Sequence, residues 1–428
     1  MIRWRAWPSL CIVARMVPSD GSRDNPHRTP TISLAILASA TFSSSASVRV
    51  SDPLLPQVAA SFGTTAGEAS SVITAFTLAY GLMQIFYGGA GDRLGKIRLI
   101  AITTLLSAVG SLACALAPSL WALTVARFAT AAVACAIIPL SFAWIGDVIP
   151  YAKRQPVLAR FISGQIMGMI FGQVAGGILG DSLGWRWVFG ILAAGYVVAG
   201  LALLLRLRAD PLTRLRSDAG RPGLAGLVRS WRDTIGLVRD PWVRVVLAAV
   251  AAEGFLFFGA FAYVGNELRH RFGIDYTIVG VAMAAYGGGG LLYTANVGRL
   301  VLLLGERGLA WIGGLLLGLS FVLLTIAPSL WVAVIAIALC GLGFYMLHNT
   351  LQTHGTQMAP EARGAGVAVF ATALFFGQSL GVAVAAPIVD HIGVAPVFLA
   401  AAIGMPVTGL FLATSLRRAP QGSRLSPR

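Results

Sequence analysis

Charge is what this sequence has least of. Of its 428 residues only 11% are Asp, Glu, Lys or Arg, while 57% are hydrophobic; a soluble domain carries roughly 25% charged residues. So few polar side chains are too few to cover a water-facing surface, which excludes a soluble globular protein, and the mean hydropathy of +0.78 agrees. Cysteine is also sparse. Cys114, Cys135 and Cys340 lie inside apolar runs, and with Cys11 they form no pair at a metal-ligand spacing. They read as small buried hydrophobes, not as a disulfide framework or a zinc site. Lysine is confined to Lys96 and Lys153, and neither stands in a G-x-x-x-x-G-K-S/T phosphate loop. H-E-x-x-H, G-x-S-x-G and Cys/His clusters are missing as well. The expectation is a chain that is not an enzyme or an ATP-driven pump, with no cofactor and no metal.

What the sequence has instead is a succession of apolar runs near the roughly 20 residues that carry a helix across a bilayer. Candidate spans fall near 30–51, 70–90, 98–117, 120–144, 156–180, 187–205, 245–264, 276–298, 308–327, 330–350, 364–388 and 395–416. The expected class is an all-α integral membrane protein of twelve transmembrane helices in two six-helix parallel repeats. Its expected parts are a tail 1–29, a bundle 30–205, a linker loop 206–244, a second bundle 245–416 and a tail 417–428. The apolar run within 1–30 is too short to span and is no signal peptide. The face holding both termini receives about 27 of the 32 Lys+Arg, and the opposite face about 4. That asymmetry predicts a multi-pass protein with both termini cytoplasmic; its expected location is the inner membrane. The net charge of +15 thus resides in short juxtamembrane loops, which suits anionic lipid and not nucleic acid.

The most polar internal stretch, 206–244, carries nine arginines and four aspartates and divides two halves that resemble each other. Ala117-Pro-Ser-Leu-Trp121 recurs as Ala327-Pro-Ser-Leu-Trp331, a shift of 210. At that shift Gly88 and Gly95 map onto Gly298 and Gly305, and Pro150 onto Pro360; Asp181, Gly184 and Phe189 map onto Asp390, Gly393 and Phe398 one residue short of it. One offset held across four loops is an internal repeat. Because it preserves topology after six spans, the repeats are parallel, an arrangement in which a substrate site lies between the halves near midplane.

Between spans 2 and 3 stands Gly88-Gly-Ala-Gly-Asp92-Arg93-Leu-Gly95-Lys96. It resembles the G-x-x-x-D-R-x-G-R-R motif of the major facilitator superfamily, which implies a gating network at a cytoplasmic helix end made by Gly88, Asp92, Arg93, Gly95 and Lys96. The second copy, from Gly298 to Arg307, has lost the aspartate. Leu123-x-x-x-Arg127 in span 4 resembles the family's L-x-x-x-R motif, with Ala131 in place of its glycine. An arginine inside a span costs roughly 2.5–3.5 kcal/mol on insertion scales and calls for a partner or a cavity. Its repeat counterpart is Ile337, so both halves do not need it. Gly164, Gly168, Gly172 and Gly176 of span 5 leave one smooth helix face. They resemble the antiporter motif G-x-x-x-G-P-x-x-G-G of drug and metabolite exporters, with Gln173 where that motif has proline.

Glu253, in the middle of span 7, has no cation near it in sequence, and its repeat counterpart is Ser43. A protonatable group at midplane facing a cavity suits proton coupling; the alternative is a protonated glutamate bonded to a neighbouring helix. Asp52, beside Arg49 at the outer end of span 1, is a second coupling candidate or a surface ion pair. Arg127 is expected to anchor an anionic group or support the proton-carrying carboxylate. Gln165, Gln173, Tyr286, Tyr293, His348 and Asn349 are candidates to line the cavity, with His348 at the cytoplasmic end of span 10. The resemblance covers 31–417 and is nearest to the twelve-helix drug and sugar-efflux branch of bacteria. It implies proton-coupled efflux of a small amphipathic molecule by a monomer whose partners are substrate, protons and the lipid bilayer. The alternatives are a symporter or importer of a small organic anion, and a transporter-like sensor.

Overall fold

Inside hydrocarbon a backbone N–H or C=O finds no water, so a spanning segment satisfies its own hydrogen bonds as a helix. The computed structural model describes residues 31–149, 151–209, 236–359 and 363–417, and among them helices are joined only by short turns. The expected tails and most of the 206–244 linker lie outside the described residues. Ten helices among those described are long and apolar enough to cross a membrane. One of them, Tyr276–Ile326, is two spans meeting at Gly305, whose φ of 61° interrupts the helix. With the broken helix at the start, twelve helices make up the fold.

Span 1 is Thr31–Arg49 followed by Ser51–Phe62. Spans 2 to 6 are Ser71–Leu94, Lys96–Ala115, Leu120–Ala134 with Ile137–Val148, Tyr151–Leu183 and Trp185–Ala209. Span 7 runs from Pro241 to Glu253, passes through a π-helical turn Gly254–Phe258, and continues as Gly259–Phe261 and Val264–Phe272. Spans 8 and 9 share Tyr276–Ile326, and spans 10 to 12 are Leu330–Gln357, Arg363–His391 and Ala395–Ser415. An even number of crossings puts Thr31 and Arg417 on the same face, called here the lower face. Outward-pointing Val198, Leu302 and Ile403 supply the apolar exterior that lipid requires.

Span 1 extends well past the expected limit of 51. Pro53 does not stop it, because it lies in the first turn of the second segment, where no N–H donor is needed. Asp52 is consequently buried within the bundle, not at a surface end. Span 10 likewise runs to Gln357, so His348 lies inside the helix and not at its end.

The internal repeat is written into the backbone. Glycines at positive φ fall into repeat-related pairs: Gly63 and Gly273 at 63° and 62°, Gly95 and Gly305 at 88° and 61°, Gly184 and Gly393 at 89° and 105°. Each pair ends one span and turns into the next, a conformation that favours glycine. Ser119 and Ser329 begin spans 4 and 10 with the same extended geometry.

Small residues set how closely spans approach. A Cβ on Gly168, Gly172 or Gly176 would come within 2.6, 2.5 and 2.9 Å of the carbonyl oxygens of Phe42, Ala46 and Val50 on span 1. Gly164 departs from the expected glycine face, for a Cβ there meets open space. Gly177, one residue on, faces Tyr276 and Gly280 of span 8 in the other half.

The halves join from the upper face down to mid-membrane. Thr65 Oγ1 and the Gly67 N–H donate to Asp390 at 2.6 and 2.8 Å. Below them Tyr263 donates to Ser70 Oγ, Ser379 to Thr74 O and Thr372 to Gly81 O. One apolar core is continuous across this junction, with Val50, Leu54 and Val58 packed among Phe257, Phe261 and Val264. On the lower side the ion pairs Lys96–Asp147 and Glu306–His354 each stay within one half.

Two outcomes follow from this packing. Gly172→Val is expected to lower stability by about 1–3 kcal/mol, as overpacking does, and Gly164→Ala to leave it unchanged; thermal unfolding of the purified protein in detergent reads both. Asp390→Ala is expected to loosen the upper face. In a background without native cysteines, thiol labelling of Thr74→Cys from that side should rise several-fold.

Candidate functional site

A buried polar side chain needs a partner, and the partners chosen by the ionisable groups here define a site in two parts. The upper part lies at the junction of the halves. Arg49 ends the first segment of span 1, and Asp52 begins the second one turn later, so their side chains meet at 3.6 Å, both buried. The Arg49 guanidinium also lies 4.0 Å over the ring of Phe258 on span 7. A cation on an aromatic face is held by the ring quadrupole, and this contact crosses from one half to the other. Arg127 reaches the same region from span 4. It donates to Ser47 Oγ at 3.3 Å and Ser47 O at 3.1 Å, and its guanidinium lies 3.8 Å over Phe76.

Several buried polar atoms lack a hydrogen-bond partner: Arg49 Nε, Asp52 Oδ2 and Arg127 Nε in this cluster, and Gln84 Oε1, Gln173 Nε2, Tyr286 Oη and Gln378 Oε1 on other spans. The last four come from spans 2, 5, 8 and 11, which pack across the junction as 2 against 11 and 5 against 8. Such groups are ones that a polar ligand or water would satisfy.

The lower part lies within the second half. Glu253 closes the α-helical start of span 7 at the point where the π-helical turn begins. Its side chain is fully buried, and its Oε2 lies 2.7 Å from Nδ1 of His348. Glu253 has no charged partner near it in sequence; the group beside it comes from span 10, 95 residues away. His348 stacks on Phe344, with centroids 4.7 Å apart and planes 11° from parallel. Phe257, Phe261, Tyr286 and Phe344 form the aromatic cluster that separates this pair from Arg49.

The other candidates are placed as follows. Tyr286 sits in the aromatic cluster. Gln173 is buried and Gln165 and Asn349 are half-buried. Tyr293 packs beside Leu309 and Met346, inside the second half. Of the gating residues, Gly95 makes the turn after span 2, and Lys96 pairs with Asp147 at the end of span 4. The side chains of Asp92 and Arg93, with Gly88, lie outside the described residues. Among the described residues no three His, Cys, Asp or Glu gather to hold a metal.

Sequence reasoning missed three contacts. Arg49 on Phe258 and His348 on Glu253 join residues far apart in the chain. Glu306 with His354 repeats the position of Lys96 with reversed polarity: acid in the turn, base on the following even-numbered span. A polar residue at the repeat equivalent of Lys96 was the one available signal for the third.

Comparison with known proteins agrees with this architecture. The sequence profile described as the Major Facilitator Superfamily matches residues 37–382 and, separately, 255–428. YwfA of Bacillus subtilis, described as an uncharacterized MFS-type transporter, is 25% identical over 382 residues, spanning 87% of this chain and 89% of its own. The multidrug export protein EmrB of Escherichia coli is 32% identical over 194 residues, 45% of this chain and 38% of EmrB. The crystal structure of a nucleoside transporter NupG variant matches with a TM-score of 0.72, covering 90% of this chain and 98% of its own at 15% identity, a likeness of fold alone. With two six-helix halves meeting at buried charges, the chain is no enzyme but a secondary active transporter, and it belongs to the Major Facilitator Superfamily.

Proposed function

We propose that the protein exports small amphipathic molecules in exchange for protons, by alternating access, from an inner membrane with both its termini in the cytoplasm. The observation that carries this reading is Asp52, buried at the junction of the halves, ion-paired to Arg49 at 3.6 Å while Arg49 braces Phe258 of the other half. A proton arriving on Asp52 removes the charge that Arg49 pairs with. The same event changes how Arg49 holds the second half, so protonation and the meeting of the halves are linked. Arg127, anchored on Ser47, adds a positive field beside Asp52. Glu253 is the second acid able to carry a proton. On this reading the described arrangement, joined above mid-membrane, is the one open to the cytoplasm, and Lys96 with Asp147, Asp92 and Arg93 gates that side. The stretch shared with EmrB supports export.

One observation favours a second reading. Arg49 and Arg127 bring two positive charges to one carboxylate, Asp52, and the surplus suits a small organic anion taken up together with a proton.

Purified protein in proteoliposomes carrying an internal pH dye separates the readings, with ethidium and tetraphenylphosphonium as lipophilic cations and benzoate as an organic anion. Protons are expected to move against at least one cation. Asp52→Asn and Glu253→Gln are each expected to cut that flux more than about tenfold while substrate binding persists, the signature of a lost coupling step. Protons moving with benzoate would replace export by symport. If both variants match wild type, coupling through these acids is wrong.

A further inference from the structure

We infer that His348 is the group through which Glu253 exchanges its proton with water on the lower side, an assignment that rests on the coupled-transport reading above. Glu253 is sealed. No part of its side chain reaches solvent, Oε1 has no hydrogen-bond partner, and the polar group described at Oε2 is His348 Nδ1 at 2.7 Å. A coupling acid must load and discharge once in every cycle, and a carboxyl enclosed in this way has no water to trade with. His348 is differently placed, with 12% of its side chain exposed. Its ring is held between Phe344, 4.7 Å away on its own span, and Phe370 of span 11 at 5.7 Å. That clamp keeps Nδ1 turned to the carboxyl and leaves Nε2, on the opposite edge of the ring, as the second proton-bearing atom.

Imidazole suits the task because it has two separate ring nitrogens, so it can take a proton at one and release a proton from the other. In the discharge step the O–H bond at Oε2 breaks and an N–H bond forms at Nδ1, leaving a carboxylate beside an imidazolium. The N–H bond at Nε2 then breaks and its proton passes to water. The ring is left neutral, with its Nδ1–H donating to the carboxylate. Loading runs the same steps in reverse. Among the described residues the other titratable group acting on Glu253 is Tyr286 of span 8, with Tyr345 of span 10, Cys340 of span 10 and Arg49 of span 1 acting on Tyr286 in turn. Span 11 presents the apolar Phe370. Among the described residues none of these hydrogen-bonds Glu253 in place of His348.

The position has depth as well as chemistry. The repeat counterpart of Glu253 is Ser43, nine residues before Asp52 on span 1, so Glu253 lies about 13 Å nearer the lower face at the usual helical rise. Asp52 belongs to the closed junction, whereas Glu253 is within reach of the lower side through one imidazole.

The test needs no transported compound. Infrared spectroscopy of the purified full-length protein in lipid follows the C=O stretch of a protonated carboxyl, assigned to Glu253 by its loss in Glu253→Gln. On changing to D2O, the isotope shift of that band is expected to be at least about tenfold slower in His348→Ala than in wild type, and imidazole added to the buffer should restore the rate. His348→Gln keeps a hydrogen-bonding side chain at the carboxyl but cannot relay a proton, and it should be as slow as His348→Ala. Exchange at the wild-type rate in either variant overturns the assignment, as does the absence of any band assignable to Glu253. Substrate-driven proton flux in the wild type is measured separately, so intact flux with unchanged exchange would sink the relay and leave the transport reading standing.

Discussion

An ionised side chain at the centre of a bilayer costs on the order of 2.5–3.5 kcal/mol or more unless it finds a partner, and this chain places several there. Each half meets the demand in the same way: an acid on its first span is set beside a base on its fourth. In the first half Asp52 has Arg127 near it in addition to Arg49, and in the second half Glu253 has His348. The two pairs stand at different depths, so the halves share a design without sharing a site. The contact of Arg49 with Phe258 across the junction grows out of the same requirement, since an aromatic face is what the second half offers to a cation.

Bringing those groups within reach depends on backbones that approach closely. In lipid no hydrophobic drive pulls one helix onto another, so contact area and small residues do the work. Span 5 uses both of its faces for this. Gly168, Gly172 and Gly176 seat it on span 1, while Gly177 seats it against Gly280 across the junction. Spans 7 and 11 pack in the same manner, with Gly254 and Gly259 against the backbones of Leu374 and Gly381. Glu253 is next to one of these contacts, which explains why its side chain is so completely enclosed.

Most of the architecture was legible in the sequence because lipid imposes it locally. Run length gives the spans, and a constant offset gives the repeat, which the paired positive-φ glycines then express in three dimensions. The site was legible only as separate residues. Arg127, Glu253 and Asp52 stand out as charges in apolar runs, but nothing local says that Pro53 lets span 1 continue past Asp52 and bury it. Nor does local sequence say that His348 is the partner of Glu253, since their contact spans 95 residues and comes from helix packing. The glycine pattern was legible for three positions and misleading at Gly164, because a period of four residues drifts around a helix of 3.6 residues per turn.

The π-helical turn at Gly254–Phe258 lies between the two parts of the site. Such a turn holds one residue more than an α-helix would fit into the same rise, so it acts as a fixed angular offset between the helix below and the helix above. With Phe258 held by Arg49, a chain lacking one residue of that turn would keep its junction and its span length. Glu253, however, would be swung about 100° around the helix axis, the angle of one residue at 3.6 per turn, and would face away from His348. The alignment of the membrane's two buried acids is therefore set by a count of residues, independent of the chemistry of either acid.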